Sequence, residues 1–275
     1  MEPLALALLG LGAGAFGVMV GAGGGIIMAP VLLLFFDLEP PVVAGTSLAL
    51  VSVNSFSGTL AYLPMRLADR RSGLLFAAAA IPGSVAAPFA VRELAPDLFK
   101  TIFGLLLLGL ALHMLLRRTG ADDRPAKAGA GRRIRRRHTK RRVESDSGVY
   151  EYEFNEGLAT GFNAILGFIS AFLGTGGGFL RTPVLVAVFG FPVRVAVATS
   201  VFALSIYATV GATVHAGLGH LDWYPTFVWA GVGFLVGSQI GTRLVGKVPT
   251  VWLIRLLVAV LLAMGGLLLA QAAGV

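Results

Sequence analysis

Two glycine clusters stand out as places where this chain could do chemistry. Gly21-Ala22-Gly23-Gly24-Gly25 is followed by Pro30, and 153 residues later Gly174-Thr175-Gly176-Gly177-Gly178 is followed, at the same distance, by Pro183. Each cluster interrupts an apolar run, and the short helix that restarts after it begins with backbone N–H groups that have no intrahelical acceptor. Such an end carries partial positive charge and can hold an anion without a cationic side chain. Glycine is required there because a β-carbon would block close approach to the backbone and resist a turn of positive φ. Helix packing through small residues would explain one cluster equally well. Two copies at equal offset, each with its proline, favour a binding site.

Other polar residues repeat with the clusters. Thr46-Ser47 and Thr199-Ser200 share the 153-residue offset and lie early in the span after each short helix. Their hydroxyls could complete the hydrogen bonds of an oxyanion, or bond back to the preceding turn of their own helix. Asn54 and Tyr207, also equivalent by offset, sit two turns deeper and can both donate. Arg181, three residues past Gly178, is the cation nearest a cluster. Inside a membrane it would either anchor an anion or snorkel to an interface. His215 and His220 could accept protons near neutral pH, although their position at a loop beside Trp223 reads as interfacial.

The elements that position these residues are membrane helices. Hydrophobic residues make up 56% of the 275 and charged residues only 13%, and mean hydropathy is +0.82. Several nearly uncharged runs suffice to cross roughly 30 Å of hydrocarbon. The first run, 4–20, lacks a basic start and reads as a retained helix rather than a signal peptide. Further runs are expected at 26–36, 42–63, 74–91 and 98–116, and then at 158–173, 179–189, 195–214, 227–244 and 251–269. Gly58 matches Gly211, and Gly83-Ser84 matches Gly237-Ser238 with one residue of slip. The expected fold is an all-α polytopic membrane protein of two homologous halves, each with a Gly-broken helix or helical hairpin. That makes eight full spans, or ten segments counting the half-helices. Residues 1–116 form the first repeat, 117–153 a basic cytoplasmic linker and 154–275 the second repeat.

Charge decides between two orientations of the halves. A broken segment that crosses once gives four crossings per half and parallel repeats; a hairpin gives five segments and inverted repeats. Counting from Arg117 to Glu153, the linker holds 12 of the 22 Lys and Arg, against 6 Asp and Glu. With the linker and the Arg66–Arg71 loop on the cytoplasmic side, the inverted arrangement also brings Arg194, Arg243 and Lys247 inside. It collects Glu2, Asp37, Glu39, Glu93 and Asp222 outside, and the positive-inside rule favours it. A half-length piece such as 26–36, about 16 Å long, also suits a hairpin. The run from Arg132 to Arg142 reads as a loop that meets anionic lipid headgroups, not nucleic acid, because no DNA-binding fold accompanies it. Its continuation, Val149 to Phe154, alternates apolar and acidic residues and reads as a short strand or a surface turn.

Several classes are disfavoured. There is no cysteine, hence no disulfide, thiolate or cysteine–metal chemistry. Outside the linker every Asp and Glu lies at a segment end or in a loop, so a mid-membrane carboxylate relay has no candidate. The GxGxxG-like match at Gly21 opens a membrane helix, not a βαβ unit. No cofactor is expected, and a homo-oligomer is compatible with the chain.

The Gly-x-Gly-Gly-Gly-x-x-x-x-Pro pattern in both halves resembles the sulfite exporter TauE/SafE family of membrane permeases. So do Ala198-Thr199-Ser200-x-Phe202, the His215…Gly219-His220-x-Asp222-Trp223 loop and Gly237-Ser238-Gln239-Ile240-Gly241. The resemblance covers essentially everything but the linker. It implies multi-pass residence in a bacterial inner membrane and transport of small sulfur-containing anions such as sulfite or organosulfonates. On that reading the substrate sits between the two glycine clusters. Competing readings are a membrane enzyme, which would need a nucleophile–base pair or a metal set, and a non-transporting scaffold whose linker recruits partners.

Overall fold

Proline and glycine punctuate the apolar runs into ten helices among the described residues, which in this computed structural model are 3–36, 38–116, 138–145, 148–245 and 248–274. Glu2, Asp37, Lys247 and the first part of the linker, 117–137, lie outside them. α1 (Pro3–Val20) and α2 (Gly25–Phe35) flank the first glycine cluster, and α3 (Pro40–Tyr62), α4 (Arg70–Arg92) and α5 (Pro96–Leu116) follow. α6 (Glu156–Leu173), α7 (Gly178–Ala187), α8 (Val193–Gly217), α9 (Val228–Leu244) and α10 (Thr250–Ala272) repeat that order. Pro40 and Pro41 open α3, where a missing N–H would have had no helical acceptor anyway. Seven of the helices are long and apolar enough to cross a membrane, while α2 and α7 are only 11 and 10 residues long.

Packing between the halves is reciprocal. α1 packs on α9 and its counterpart α6 on α4, while α3 packs on α8 and α5 on α10. The last two pairs join counterparts, and each runs antiparallel. Gly45 near the start of α3 abuts His220 just past α8, whereas the Thr59 hydroxyl near the end of α3 donates to the Val201 carbonyl at 3.4 Å. Gly104 likewise faces Leu269, and Gly265 faces Leu108. α3 and α8 form the central pair, with 78% of their apolar windows buried against 28–39% for the other spans. The small-residue packing weighed above is realised elsewhere, on α9. There Gly233, Gly237 and Gly241 press against the Ala7, Leu11 and Ala15 carbonyls of α1, leaving no room for a β-carbon.

The second part of the linker is a β-hairpin, β1 (His138–Ser145) and β2 (Gly148–Asn155). Of the two readings of Val149 to Phe154, strand is the one adopted. Alternation sorts its faces. Val143, Tyr152 and Phe154 turn inward onto Phe76 of α4 and onto Phe189 and Phe191 before α8, with Phe191 4.4 Å from the Tyr152 ring and 4.7 Å from that of Phe154. Lys140 and Arg142 turn outward and pair with Glu153, Glu144 and Glu151 on the surface.

One buried carboxylate fastens this hairpin to the helices. Asp69 caps α4 by accepting from the Ser72 N–H at 3.0 Å and the Ser72 hydroxyl at 2.6 Å. Its Oδ2 also accepts from the Tyr152 hydroxyl at 2.8 Å and lies 3.6 Å from Arg141 Nε. Arg141 continues to Glu156, the first residue of α6, at 2.8 Å. Burial and the facing Asp69 carboxylate push the Tyr152 phenol far above its ordinary value, so it remains a donor. Removing a partner of a buried ion pair typically costs about 3 kcal/mol. Asp69→Ala is therefore expected to lower the detergent-solubilised melting temperature strongly and Tyr152→Phe modestly. Lys140→Ala, which breaks only an exposed pair, should leave it within about 0.5 kcal/mol of wild type.

Candidate functional site

The two glycine clusters adopt the same turn. Gly21, Gly23 and Gly24 have φ of 77°, 73° and 79°, and their counterparts Gly174, Gly176 and Gly177 have 69°, 83° and 63°. Each turn doubles the chain back along the helix it has just left. A β-carbon on Gly24 would lie 2.6 Å from the Ala13 carbonyl oxygen, and one on Gly177 would lie 3.1 Å from Ser170 Cβ and 3.3 Å from the Leu166 carbonyl oxygen. The chain thus forms a hairpin at each break. Gly24 and Gly177 cap α2 and α7 without a side-chain hydrogen bond, so the first-turn N–H groups of both helices stay uncapped by side chains.

The clusters meet at mid-height of the central pair. Gly25 packs against the Gly174 carbonyl and Gly178 against that of Gly21. Val51 and Leu204, equivalent by offset, lie between the two turns, each within van der Waals reach of both Gly23 and Gly176. Freed carbonyls find partners on α8. The Ser200 hydroxyl donates to Gly21 O at 3.0 Å, and the Tyr207 hydroxyl donates to Gly176 O.

Arg181 does not snorkel. It is completely buried on α7, one turn past the second cluster. Its Nε donates to Asn163 Oδ1, its Nη1 reaches the Ser200 carbonyl at 3.4 Å, and its guanidinium lies 4.8 Å over the Tyr207 ring. Its Nη2 has no hydrogen-bond partner, and among the described residues it pairs with no carboxylate. A buried cation without a counter-charge is costly. Unspent polar groups surround the same turns. A β-carbon on Gly177 would lie 3.4 Å from the Tyr207 hydroxyl beside Ser170, one on Gly23 would lie 3.2 Å from Ser55 Oγ, and one on Gly21 would meet Thr182 Oγ1 at 2.5 Å. Ser170, Ser55, Thr182, Ser47, Thr175 and both polar atoms of Asn54 are buried without partners.

The two threonine hydroxyls accept bonds from loops. Thr46 Oγ1 accepts from the Asp222 N–H at 2.8 Å, and Thr199 Oγ1 accepts from the Asp69 N–H at 3.0 Å. They tether equivalent loops of the opposite half, one at each end of the molecule. Of the residues singled out in sequence, Gly21, Gly23, Gly24, Gly25, Gly174, Gly176, Gly177, Gly178, Arg181, Ser200 and Tyr207 are therefore brought together. Thr46 and Thr199 stand apart from the turns, and Ser47 and Asn54 stay unengaged on α3. Asn163 and Ser170 join Thr175 at the second turn, Thr182 of α7 lies against Gly21 of the first, and none of the four was singled out. Their signal was polarity at positions whose first-half counterparts are Gly10, Gly17, Ala22 and Ala29, with Met28 opposite Arg181. Both turns have buried polar groups beside them, and the second also has the charge of Arg181. His215 and His220, read as interfacial, are instead 0% and 8% exposed.

Known proteins resemble this chain in sequence. The family model described as Sulfite exporter TauE/SafE matches residues 6–268. The "Probable membrane transporter protein YunE" of Bacillus subtilis is 32% identical over 96% of this chain and 96% of its own. The "Probable membrane transporter protein MJ0441" of Methanocaldococcus jannaschii is 24% identical over 94% of this chain and 92% of its own. A "Probable membrane transporter protein" of Xylella fastidiosa is 35% identical over 41% of this chain and 42% of its own. No solved structure matches. With a family match across nearly its whole length, this multi-pass membrane chain belongs to the sulfite exporter TauE/SafE family of membrane transporters.

Proposed function

We propose that the chain is a permease for small sulfur-containing anions, sulfite or organosulfonates among them, which bind between the two glycine turns on the Arg181 side. The observation that carries this reading is the fully buried Arg181 with a free Nη2 and, among the described residues, no carboxylate partner. The N-termini of α2 and α7 add dipole charge of the same sign, and the hydroxyls of Ser170 and Tyr207 are in reach of the second turn. The family description, sulfite exporter, suggests the chemistry of the cargo.

The halves are inverted repeats in this reading. The antiparallel courses of α3 with α8 and α5 with α10 support it, as does the gathering of Arg66, Arg70, Arg71, Arg141 and Arg194 at one end. At that end Val193 packs with Met65, Ala68 and Tyr150, and we take it as the cytoplasmic side of a bacterial inner membrane. The anion would then be exposed alternately to each side as the halves rock about the turns.

A ligand that binds only the folded state raises the melting temperature, the more so the larger its concentration relative to its Kd. Sulfite, thiosulfate, sulfate, methanesulfonate and acetate should therefore separate on purified protein, with sulfur anions giving the larger shifts. Arg181→Met, which copies Met28, is expected to abolish the shift and to cut anion flux in proteoliposomes by about a hundredfold, on the order of 3 kcal/mol of lost charge-assisted bonding. Undiminished flux in that variant would refute the proposed site. Gly177→Ala places a methyl group between Ser170 and the Tyr207 hydroxyl in a left-handed turn. It should cost about 1–2 kcal/mol of stability yet remain folded, with flux lost.

A further inference from the structure

The turn of α3 nearest the linker and the matching turn of α8 at the other end make the same contact with different chemistry. The Tyr62 hydroxyl donates to the Val18 carbonyl at 3.3 Å. Its counterpart by offset, His215, bonds through Nε2 to the Ala171 carbonyl, the counterpart of Val18, at 3.1 Å. Each bond ties a central helix to the broken helix three residues before its glycine cluster. Only the second is made by an imidazole, and only there is a further imidazole in contact. His220 Nδ1 lies 3.2 Å from His215 Nδ1, where the first half carries Leu67.

The hydrogen-bond inventory defines what this pair can hold. A carbonyl only accepts, so His215 Nε2 carries a hydrogen, and in the neutral ring its Nδ1 is an acceptor. His220 Nδ1 must then donate, which leaves the lone pair on His220 Nε2. One added proton goes to that nitrogen and leaves both bonds intact. A second would set N–H against N–H and break the contact. The pair is therefore built to carry zero or one.

We propose that His215 and His220 together bind one proton that accompanies the anion. The proposal rests on the anion-permease reading. Ala171 lies three residues before Gly174 in the last turn of α6, so a proton on the pair adds positive charge beside the second turn and favours an anion there. By linkage the anion favours the proton equally. The charged groups facing the pair are Arg92 at the end of α4, its surface partner Glu93, and Asp222 two residues on in the same loop. α3 and α6 bring Gly45, Thr46 and the Ala171 carbonyl, none of which titrates. Burial and the Arg92 guanidinium hold His220 below its ordinary value, so without an anion its ring is neutral at pH 7 and takes up a proton as pH falls.

Methanesulfonate tests this, because its own charge is constant between about pH 5 and 8, where histidine titrates. Wild-type protein should bind it about five- to tenfold more tightly at the acid end of that range. In weakly buffered detergent solution near neutral pH it should take up protons, at most one per anion bound. His215→Tyr combined with His220→Leu copies Tyr62 and Leu67, keeps the bond to Ala171, and should bind methanesulfonate with no pH dependence and no proton uptake. Equal affinity at both pH values without uptake by the wild type overturns the proposal, as does unchanged pH dependence in the double variant. If that variant does not fold, wild-type proton uptake decides alone. Failure of wild type to bind any of the anions at any pH overturns the permease reading, and the proton site with it.

Discussion

A peptide group without a partner costs several kcal/mol in hydrocarbon, so a membrane helix can be broken only where something else satisfies the freed backbone. In this chain the something else is the opposite half. Ser200 covers the Gly21 carbonyl from α8, and Gly25 and Gly178 each lie against a carbonyl of the other cluster. Neither turn is complete by itself. The reciprocal packing of α1 on α9 and α6 on α4 follows from the same need, because it brings the ends of both broken helices to the central pair.

Within that near-symmetric backbone the side chains are not symmetric. Thr46 and Thr199 keep identical tethers to Asp222 and Asp69, and Tyr62 and His215 keep the same bond to equivalent carbonyls. The symmetric positions hold the frame. Positions that differ, Arg181 against Met28 and Asn163 against Gly10, are where the second half gains a charge that the first half lacks.

Much of this frame was legible beforehand. Hydropathy and punctuation placed every helix within a few residues, and the repeat offset identified both turns and the pairing of their flanking polar residues. The asymmetric lining was harder to see. Asn163 matters only because α6 lies beside α7, and spacing along the chain carries no signal for a contact between the Asn163 amide and the Arg181 guanidinium. Thr46 and Thr199 were read as able to complete an oxyanion's hydrogen bonds or to bond back to their own helix, and their place beside a glycine turn in sequence does not reveal that each accepts a loop N–H from the other half. The linker was read mainly from its charge, whereas Val143, Tyr152 and Phe154 spend their apolar faces on α4 and the segment before α8. A basic composition hid a docked hairpin.

The convergence of α2 and α7 has an electrostatic consequence. Each helix start carries about half an elementary charge from its aligned peptide dipoles, and the two starts meet across Val51 and Leu204. Together they supply nearly a full positive charge made entirely of main chain. No proton can leave it, and it persists at any pH that leaves the helices folded.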